Sequence, residues 1–232
     1  MADERTGTGA RGLDALLGGG LQSGAVTFIY GEPASGKTTL VLSIVVNHIR
    51  ADPGARAYYV DADRKFSLPR FVEITGVDAS EILKHFTYSK LENFEEQATL
   101  VEDLFLKVQR GDIVVFDSIT GLYRVETGDS LKTWAVNKEL NRQLGHLKEM
   151  ALSRGIVLLL TGQVRSILDA PTPQVEPVAQ RLLRYWSDTI IRMETTPRQG
   201  VRRVIVEKPE SHRGTIRVNI TATGLSDVEE VY

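Results

Sequence analysis

The sequence predicts an α/β fold with a mostly parallel central sheet, helices on both of its faces and antiparallel strands at the C-terminal end. Near-continuous apolar runs of strand length alternate with segments of helix length through most of the 232 residues. Parallel strands that are covered on both faces give such runs, and each pair needs a crossover connection. From Asp188 onward the strands become shorter and are separated by turn residues, so we expect them to extend the sheet in the antiparallel direction. Residues 1–232 are enough to bury one large core, and we expect a single domain.

The individual elements follow from hydrophobic periodicity. Strands are predicted at 25–30, 57–61, 85–88, 113–117, 156–161, 189–193, 203–207 and 215–220. Helices are predicted at 38–50, 69–76, 80–84, 92–109 and 130–153. In the helix over 92–109, Leu100, Leu104 and Val108 recur every four residues, which indicates a buried face. The apolar positions of the last helix include Trp134, and we expect both Trp134 and Trp186 to be buried.

The composition excludes several kinds of site. The chain has no cysteine, which excludes a thiol nucleophile, a cysteine zinc site and a disulfide framework. Its net charge of −2 gives no overall attraction to nucleic acid, so any DNA binding must depend on a local basic patch. The first residues are acidic and polar, unlike a signal peptide, and no apolar run approaches the roughly 20 residues of a membrane span. We therefore expect a cytoplasmic protein with no membrane partner.

A complete Walker A phosphate loop occupies residues 31–38, which read Gly-Glu-Pro-Ala-Ser-Gly-Lys-Thr. The loop lies between the predicted strand 25–30 and the predicted helix 38–50, which is the context that this motif requires. Its glycines allow successive amide N–H groups to turn inward and hold phosphate oxygens at a helix N-terminus. The alternative, a turn that binds nothing, is disfavoured by this context. The residues expected to bind the nucleotide are Gly31, Glu32, Pro33, Ala34, Ser35, Gly36, Lys37, Thr38 and Thr39.

Two of these residues and one distant carboxylate are expected to act on the phosphates and on a metal ion. Lys37 is expected to reach the β and γ phosphates, and the Thr38 hydroxyl to bind Mg²⁺, which prefers hard oxygen ligands. Asp117 ends the apolar strand 113–117, where open α/β sheets bind ligands, and it fits the Walker B role of holding Mg²⁺. The alternative for Asp117 is the polar cap of a buried strand. The expected cofactors are therefore ATP and Mg²⁺.

Two further polar residues follow predicted strands. Asp63 comes just after the strand 57–61, and a carboxylate there is placed to polarise the water that attacks the γ-phosphate. A solvated loop acid or a helix N-cap explains Asp63 equally well. Gln163 follows the strand 156–161, and its amide is expected to contact the γ-phosphate, with a simple strand terminator as the competing interpretation.

In chain order these segments resemble the RecA-type recombinases, in particular the archaeal RadA and RadB branch and most closely its short RadB-like paralogues. The resemblance is carried by residues 8–20, the Walker A loop, and residues 59–63, 116–120, 161–164 and 220–228. It implies a RecA-like P-loop NTPase core with a role in DNA repair and homologous recombination. Paralogues of this kind act as accessory proteins beside the main, RadA-type recombinase, which is therefore the expected protein partner.

The chain also differs from the full recombinases. It begins about seven residues before the core, so we expect neither the N-terminal DNA-binding domain nor the linker motif by which they polymerise, and the oligomeric state stays open. The segment between Gln163 and Gln180, which corresponds to a DNA-binding loop, is short and contains Pro171, Pro173 and Pro177. We therefore expect no autonomous strand-exchange filament.

The resemblance also assigns roles to single residues. Asp63 stands where the recombinases carry a catalytic glutamate, so its carboxylate is withdrawn by ~1.5 Å, about one carbon–carbon bond. A misplacement of that order can cost about 10²-fold in rate, and we expect tight ATP binding with slow hydrolysis. Arg70 matches an arginine that packs on adenine, although a helix-surface arginine is an equal alternative.

The DNA contacts are expected at Arg165, Arg181 and Arg184, which lie in and after the segment that follows Gln163. Guanidinium groups neutralise phosphates without reading sequence, so the expected ligand is DNA of any sequence, with single-stranded DNA favoured and the strandedness preference left open. Two other classes remain open. One is a KaiC-like signalling ATPase, which usually carries paired glutamates where this chain has Ala62 and Asp63. The other is an interaction module in which ATP only orders a binding surface.

Overall fold

The chain folds around one nine-stranded mixed sheet. The fold was obtained as a computed structural model that describes residues 4–127, 130–167 and 174–228. The strands are β1 Arg5–Thr6, β2 Leu21–Gln22, β3 Val26–Gly31, β4 Ala57–Asp61, β5 Phe86–Lys90, β6 Ile113–Asp117, β7 Val157–Gly162, β8 Val164–Ile167, β9 Gln174–Pro177, β10 Thr189–Thr195, β11 Val201–Lys208, β12 Gly214–Thr221 and β13 Gly224–Asp227. The α-helices are α1 Arg11–Leu16, α2 Lys37–Ala51, α3 Leu68–Thr75, α4 Ala79–Lys84, α5 Phe94–Lys107, α6 Gly121–Glu126, α7 Ser130–Arg154 and α8 Gln180–Trp186. Two short 3₁₀ turns cover Gly76–Asp78 and Glu210–His212.

The order of the strands confirms the predicted fold class. Across the large sheet the order is β13-β12-β11-β10-β3-β7-β6-β4-β5. The six strands from β10 to β5 run parallel to their neighbours, and β11, β12 and β13 add antiparallel. The strand β3, which leads into the Walker A loop, therefore lies inside the sheet between β7 and β10.

One strand runs in a direction that the sequence did not predict. We expected every strand after Asp188 to extend the sheet in the antiparallel direction, but β10 pairs parallel to β3, with Ile191 opposite Ile29. The reason is the helix α8, which the sequence analysis missed. Because α8 precedes β10, it carries the chain back along the sheet before the strand begins, as a crossover helix does.

The core has two layers, one on each face of the sheet. Side chains alternate along the strands, so that Ile29 and Tyr59 face the layer of α2 while Phe28 and Phe116 face the layer of α5 and α7. This two-sided burial explains why the parallel strands read as uninterrupted apolar runs. None of the helices that the structure describes has both the length and the apolar character of a membrane span.

Trp134 does not lie in the core, contrary to our expectation. Its side chain is 66% exposed, whereas Leu140, Leu144 and Leu147 of the same helix are fully buried. Six residues separate Trp134 from Leu140, which at 3.6 residues per turn places the two about 120° apart around the helix. Trp186 is half-buried, and its indole N–H donates to Asn141 Oδ1 at 2.9 Å.

The helix α5 shows how local chemistry sets an element's end. The predicted helix began at residue 92, but Asn93 adopts an extended backbone conformation and its Oδ1 accepts from the Glu96 N–H at 2.9 Å. Glu96 in turn accepts from the Glu92 N–H at 2.8 Å. These bonds satisfy one backbone donor of the first helical turn, the Glu96 N–H, and one just before the helix, the Glu92 N–H, so the helix begins at Phe94.

A buried histidine joins three parts of the fold. His48, near the end of α2, places its Nε2 2.7 Å from the Gly111 carbonyl oxygen and its Nδ1 2.7 Å from the Thr6 hydroxyl. Because a carbonyl only accepts, Nε2 carries the proton and Nδ1 accepts from Thr6. Burial lowers the pKa of His48 below its ordinary value, so the neutral form stabilises the fold.

This pKa shift predicts a loss of stability in mild acid. The unfolded chain takes up a proton at His48 near pH 6.5, before the folded chain does, so the free energy of unfolding should fall as the pH drops below about 6.5. His48→Gln keeps a donor and an acceptor but cannot titrate in this pH range. This variant should therefore reduce the dependence of the free energy of unfolding on pH. Urea denaturation at several pH values measures the slope, and His146→Gln, which retains His48, is the control. Equal slopes for wild type and His48→Gln would contradict the prediction.

Candidate nucleotide site

The Walker A loop connects β3 to α2 and depends on two glycines. Gly36 precedes α2 with φ of 98°, a conformation that other residues rarely adopt, and a Cβ there would lie 2.8 Å from Ile220 Cδ1. A Cβ on Gly31 would overlap the backbone carbonyl oxygen of Met193. The loop therefore packs against β10 and β12 so closely that only glycine fits at these positions.

Lys37 is held by the loop itself. Its ammonium group donates to the carbonyl oxygens of Gly31 and Glu32, at 2.9 and 2.8 Å, and contacts the hydroxyl of buried Ser35 at 3.4 Å. Burial lowers the pKa of Lys37, and the negative charge of Asp117 opposes that shift. A partly desolvated ammonium at the start of a helix is well placed to bind an anion.

Asp117 accepts hydrogen bonds from three hydroxyl groups. Its Oδ2 accepts from Thr38 Oγ1 at 2.7 Å and from the Tyr59 hydroxyl at 2.6 Å, and its Oδ1 accepts from Thr161 Oγ1. Burial and the charge of Asp117 raise the pKa of Tyr59 well above its ordinary value, which keeps Tyr59 a donor. The expected pair for Mg²⁺, Thr38 and Asp117, is thus in direct contact.

Asp63 and Gln163 are also brought together. Asp63 Oδ2 accepts from Gln163 Nε2 at 2.7 Å and from the ammonium group of Lys65 at 3.0 Å. On its other side, the Asp63 carboxylate lies so close to Gly121 that a Cβ on that glycine would overlap Asp63 Oδ1. The carboxylate is therefore held in place, and its side chain is only 11% exposed.

These residues surround one cavity of about 300 Å³. Nine of its lining residues were predicted from sequence, and these are Pro33, Ala34, Gly36, Lys37, Thr38, Thr39, Asp63, Asp117 and Gln163. The four that were missed are Lys65, Thr161, Arg202 and Ile220. Proximity to Asp63 in the chain was a signal for Lys65. Only the fold reveals Arg202, whose Nε donates to the Ala34 carbonyl oxygen at 3.3 Å.

Arg70 lies beside the last two strands. Its guanidinium group donates to the carbonyl oxygens of Thr221 and Ala222, at 2.6 and 2.8 Å, and pairs with Glu73. These bonds fix the turn between β12 and β13, next to Ile220 of the nucleotide cavity. The position of Arg70 on adenine stays a prediction.

The arginines expected to bind DNA have different surroundings. Arg165 and Arg181 line a second cavity of about 690 Å³, together with Arg124. Arg165 donates to Glu176 at 2.8 Å across the β8–β9 hairpin, and Arg184 lies outside this cavity and pairs with Glu207 at 2.8 Å. Arg124 and Arg181 are exposed and have no acidic partner among the described residues.

The segment that follows Gln163 is ordered as a hairpin where the structure describes it. The strand β8 pairs antiparallel with β9, so that Val164 lies opposite Pro177. Pro177 is therefore part of a strand. Pro171 and Pro173, on which we based the expectation of a short loop, lie outside the described residues.

Comparisons with known proteins identify the family of this chain. The family model described as Rad51 matches residues 5–228. The protein named "DNA repair and recombination protein RadB" from Methanosphaera stadtmanae is 35% identical over 185 residues, covering 78% of this chain and 78% of that protein. The protein of the same name from Halobacterium salinarum is 34% identical over 209 residues, covering 89% of this chain and 87% of that protein. A solved structure described as "Crystal structure of the RadB recombinase" has a TM-score of 0.80 and 34% identity, and covers 97% of this chain and 100% of that one.

The contact between Tyr59 and Asp117 predicts a specific loss of stability. Tyr59→Phe removes one donor from a buried carboxylate and should lower the free energy of unfolding by about 1–2 kcal/mol. Tyr58→Phe is the matched control, because Tyr58 is the neighbouring buried tyrosine and faces the opposite side of the sheet. Chemical denaturation of both variants measures the difference. A loss for Tyr58→Phe as large as for Tyr59→Phe would contradict the assigned hydrogen bond.

Proposed function

This chain belongs to the Rad51 family, and we propose that it is an ATP-binding protein that hydrolyses ATP slowly and assists a RadA-type recombinase on single-stranded DNA. The observation that carries this proposal is the convergence of the Walker A residues with Asp117 and Asp63 on one cavity. The repair and recombination role rests on the names of the relatives, which cover most of the chain. We place the protein in the cytoplasm.

The residues present fit ATP with Mg²⁺. Glycine at positions 31 and 36 lets the Walker A loop pack against Met193 and Ile220 beside the cavity. Thr38 Oγ1 and Asp117 Oδ2 are adjacent oxygen atoms, and Mg²⁺ completes its shell with waters and phosphate oxygens. The buried hydroxyl of Ser118, next to Asp117, has no partner among the described residues. Mg²⁺ would neutralise charge on the phosphates.

Side chains and backbone amides of the chain would bind the phosphates and the base and would position the attacking water. Lys37 and the loop amides would hold the phosphates, and Arg70, near β12 and β13, would pack on the base. Asp63 would accept a hydrogen bond from the attacking water, with Gln163 holding the other side of that carboxylate. Because Asp63 is one carbon shorter than the glutamate of the recombinases that this chain resembles, the water is held less well and turnover is slow.

The second cavity, which we call the basic cavity because Arg124, Arg165 and Arg181 line it, supports DNA binding. Arg124 and Arg181 present guanidinium groups without acidic partners in the described part of the chain, and Arg165, which pairs with Glu176, lines the same cavity. Arg165 lies two residues after Gln163, so the DNA surface and the nucleotide cavity meet along one short segment. Such contacts neutralise phosphates without reading bases. The proposed protein partner is a recombinase of the RadA type. Co-purification of this chain with its partner from native extract would identify the individual protein.

Lengthening one side chain tests the hydrolysis proposal. Asp63→Glu moves the carboxylate outward by ~1.5 Å and should raise the turnover number by up to about 100-fold. Asp63→Asn is the control, and because its amide cannot act as a base it should lower the turnover number. Phosphate release with Mg²⁺ and ATP is the measurement. An unchanged rate for Asp63→Glu, or wild-type turnover as fast as that of a full recombinase, would refute slow hydrolysis.

Two arginines of α8 provide a matched test of DNA binding. Arg181→Ala should weaken binding of a labelled single-stranded oligonucleotide and reduce the slope of log affinity against log salt by about 0.7. Arg184→Ala removes the same charge, but Glu207 already neutralises Arg184, so its effect should be much smaller. Fluorescence anisotropy across a salt series compares the two. Equal effects would show that the basic cavity is not the DNA surface.

A further inference from the structure

Lys65 places a positive charge at the rim of the nucleotide cavity, and its backbone is fixed there. The buried carboxylate of Asp61 accepts from the Lys65 N–H at 3.0 Å and from the Phe66 N–H at 2.9 Å. The Phe66 ring packs among four other aromatic rings, those of Tyr59, Phe71, Phe86 and Tyr88. The main chain at Lys65 is thus held on both sides, while its side chain is 60% exposed.

Among the residues that the structure describes, the ammonium group of Lys65 has one acidic partner, Asp63, at 3.0 Å. An ion pair with so exposed a lysine contributes little, about 0–1 kcal/mol, so it exchanges readily for a stronger anion. The charge of Lys65 also reaches Lys37, where it contributes to lowering the pKa of that residue. Two ammonium groups that repel each other across a cavity both gain from an anion placed between them.

The balance of charge in the cavity favours such an anion. Three cationic side chains line it, those of Lys37, Lys65 and Arg202, against the two carboxylates of Asp63 and Asp117. Arg202 lies at the Ala34 side of the loop, whereas Lys65 lies beside Asp63 and Gln163. Of Lys65 and Arg202, Lys65 is therefore the cation nearer to Asp63 and Gln163, which were assigned to the attacking water and the terminal phosphate.

We propose that Lys65 recognises the terminal phosphate of a nucleoside triphosphate and, in doing so, leaves Asp63. This inference rests on the proposed function and names the regulation of that same site. With a diphosphate bound, Lys65 stays on Asp63 and neutralises it. With a triphosphate bound, Lys65 moves to the γ-phosphate, and the Asp63 carboxylate, still held by Gln163, is freed to accept a hydrogen bond from water. One lysine thereby couples discrimination of ATP from ADP to the activation of Asp63.

Nucleotide affinities of charge variants test the proposal. Lys65→Met should weaken Mg²⁺–ATP binding about tenfold and change ADP binding by less than about twofold, because only ATP carries the terminal phosphate. Lys65→Arg should keep most of the preference for ATP. Arg64→Met is the matched control, since it removes a charge from the adjacent residue, which pairs with Glu92 away from the cavity. Calorimetric titration measures each affinity, and thermal unfolding confirms that the variants fold.

The outcomes separate this inference from the proposed function. If the wild-type chain binds ATP and Lys65→Met leaves the ratio of ATP to ADP affinity unchanged, Lys65 does not recognise the terminal phosphate. An equal loss for ATP and ADP, or an equal loss for Arg64→Met, would also overturn the proposal. If the wild-type chain binds no ATP in the presence of Mg²⁺, the proposed function itself fails.

Discussion

The structure depends on the carboxylate of Asp117, where the nucleotide site and the core meet. This buried group ends β6 and accepts hydroxyl donors from the first turn of α2, from β4 and from β7. A buried charge is costly unless hydrogen bonds compensate it, so the three donors are as necessary to the fold as to the chemistry. They also fix the start of α2, and with it Lys37 and Thr38, relative to three neighbouring strands.

Sequence reasoning succeeded where the determinants are local. Eight of the strands, the Walker A loop and the positions of Asp63, Asp117 and Gln163 at strand ends follow from patterns within a few residues, whereas the short strands β1, β2, β8, β9 and β13 were not predicted. It failed where the determinant is a distant neighbour. Nothing near Arg202 in the chain indicates that it contacts Ala34, and the direction of β10 depends on a helix with a weak pattern. Trp134 was placed in the core on its residue type, although its angle around the helix was already unfavourable.

The arginines show a second limit of sequence reasoning. Arg181 and Arg184 lie one turn apart on the same short helix and are chemically identical. The structure gives Arg184 a partly buried carboxylate partner, Glu207, and leaves Arg181 exposed in the basic cavity. The lysines show the opposite case. Lys37 and Lys65 both line the nucleotide cavity, although only Lys37 belongs to a sequence motif. Which charges act on a ligand is decided by what else each charge contacts.

The close contact between Gly36 and Ile220 has a consequence for the order in which the site is assembled. The phosphate-loop motif ends at Thr38, so the ribosome makes it before the strands that flank β3. Yet β3 acquires its two flanking strands only after residues 162 and 195 have been made, and Ile220 follows later still. A nascent chain therefore carries the complete motif before it has the complete binding cavity. Nucleotide binding thus requires strands that are made much later than the motif, because Arg202 of β11 and Ile220 of β12 form one wall of the cavity.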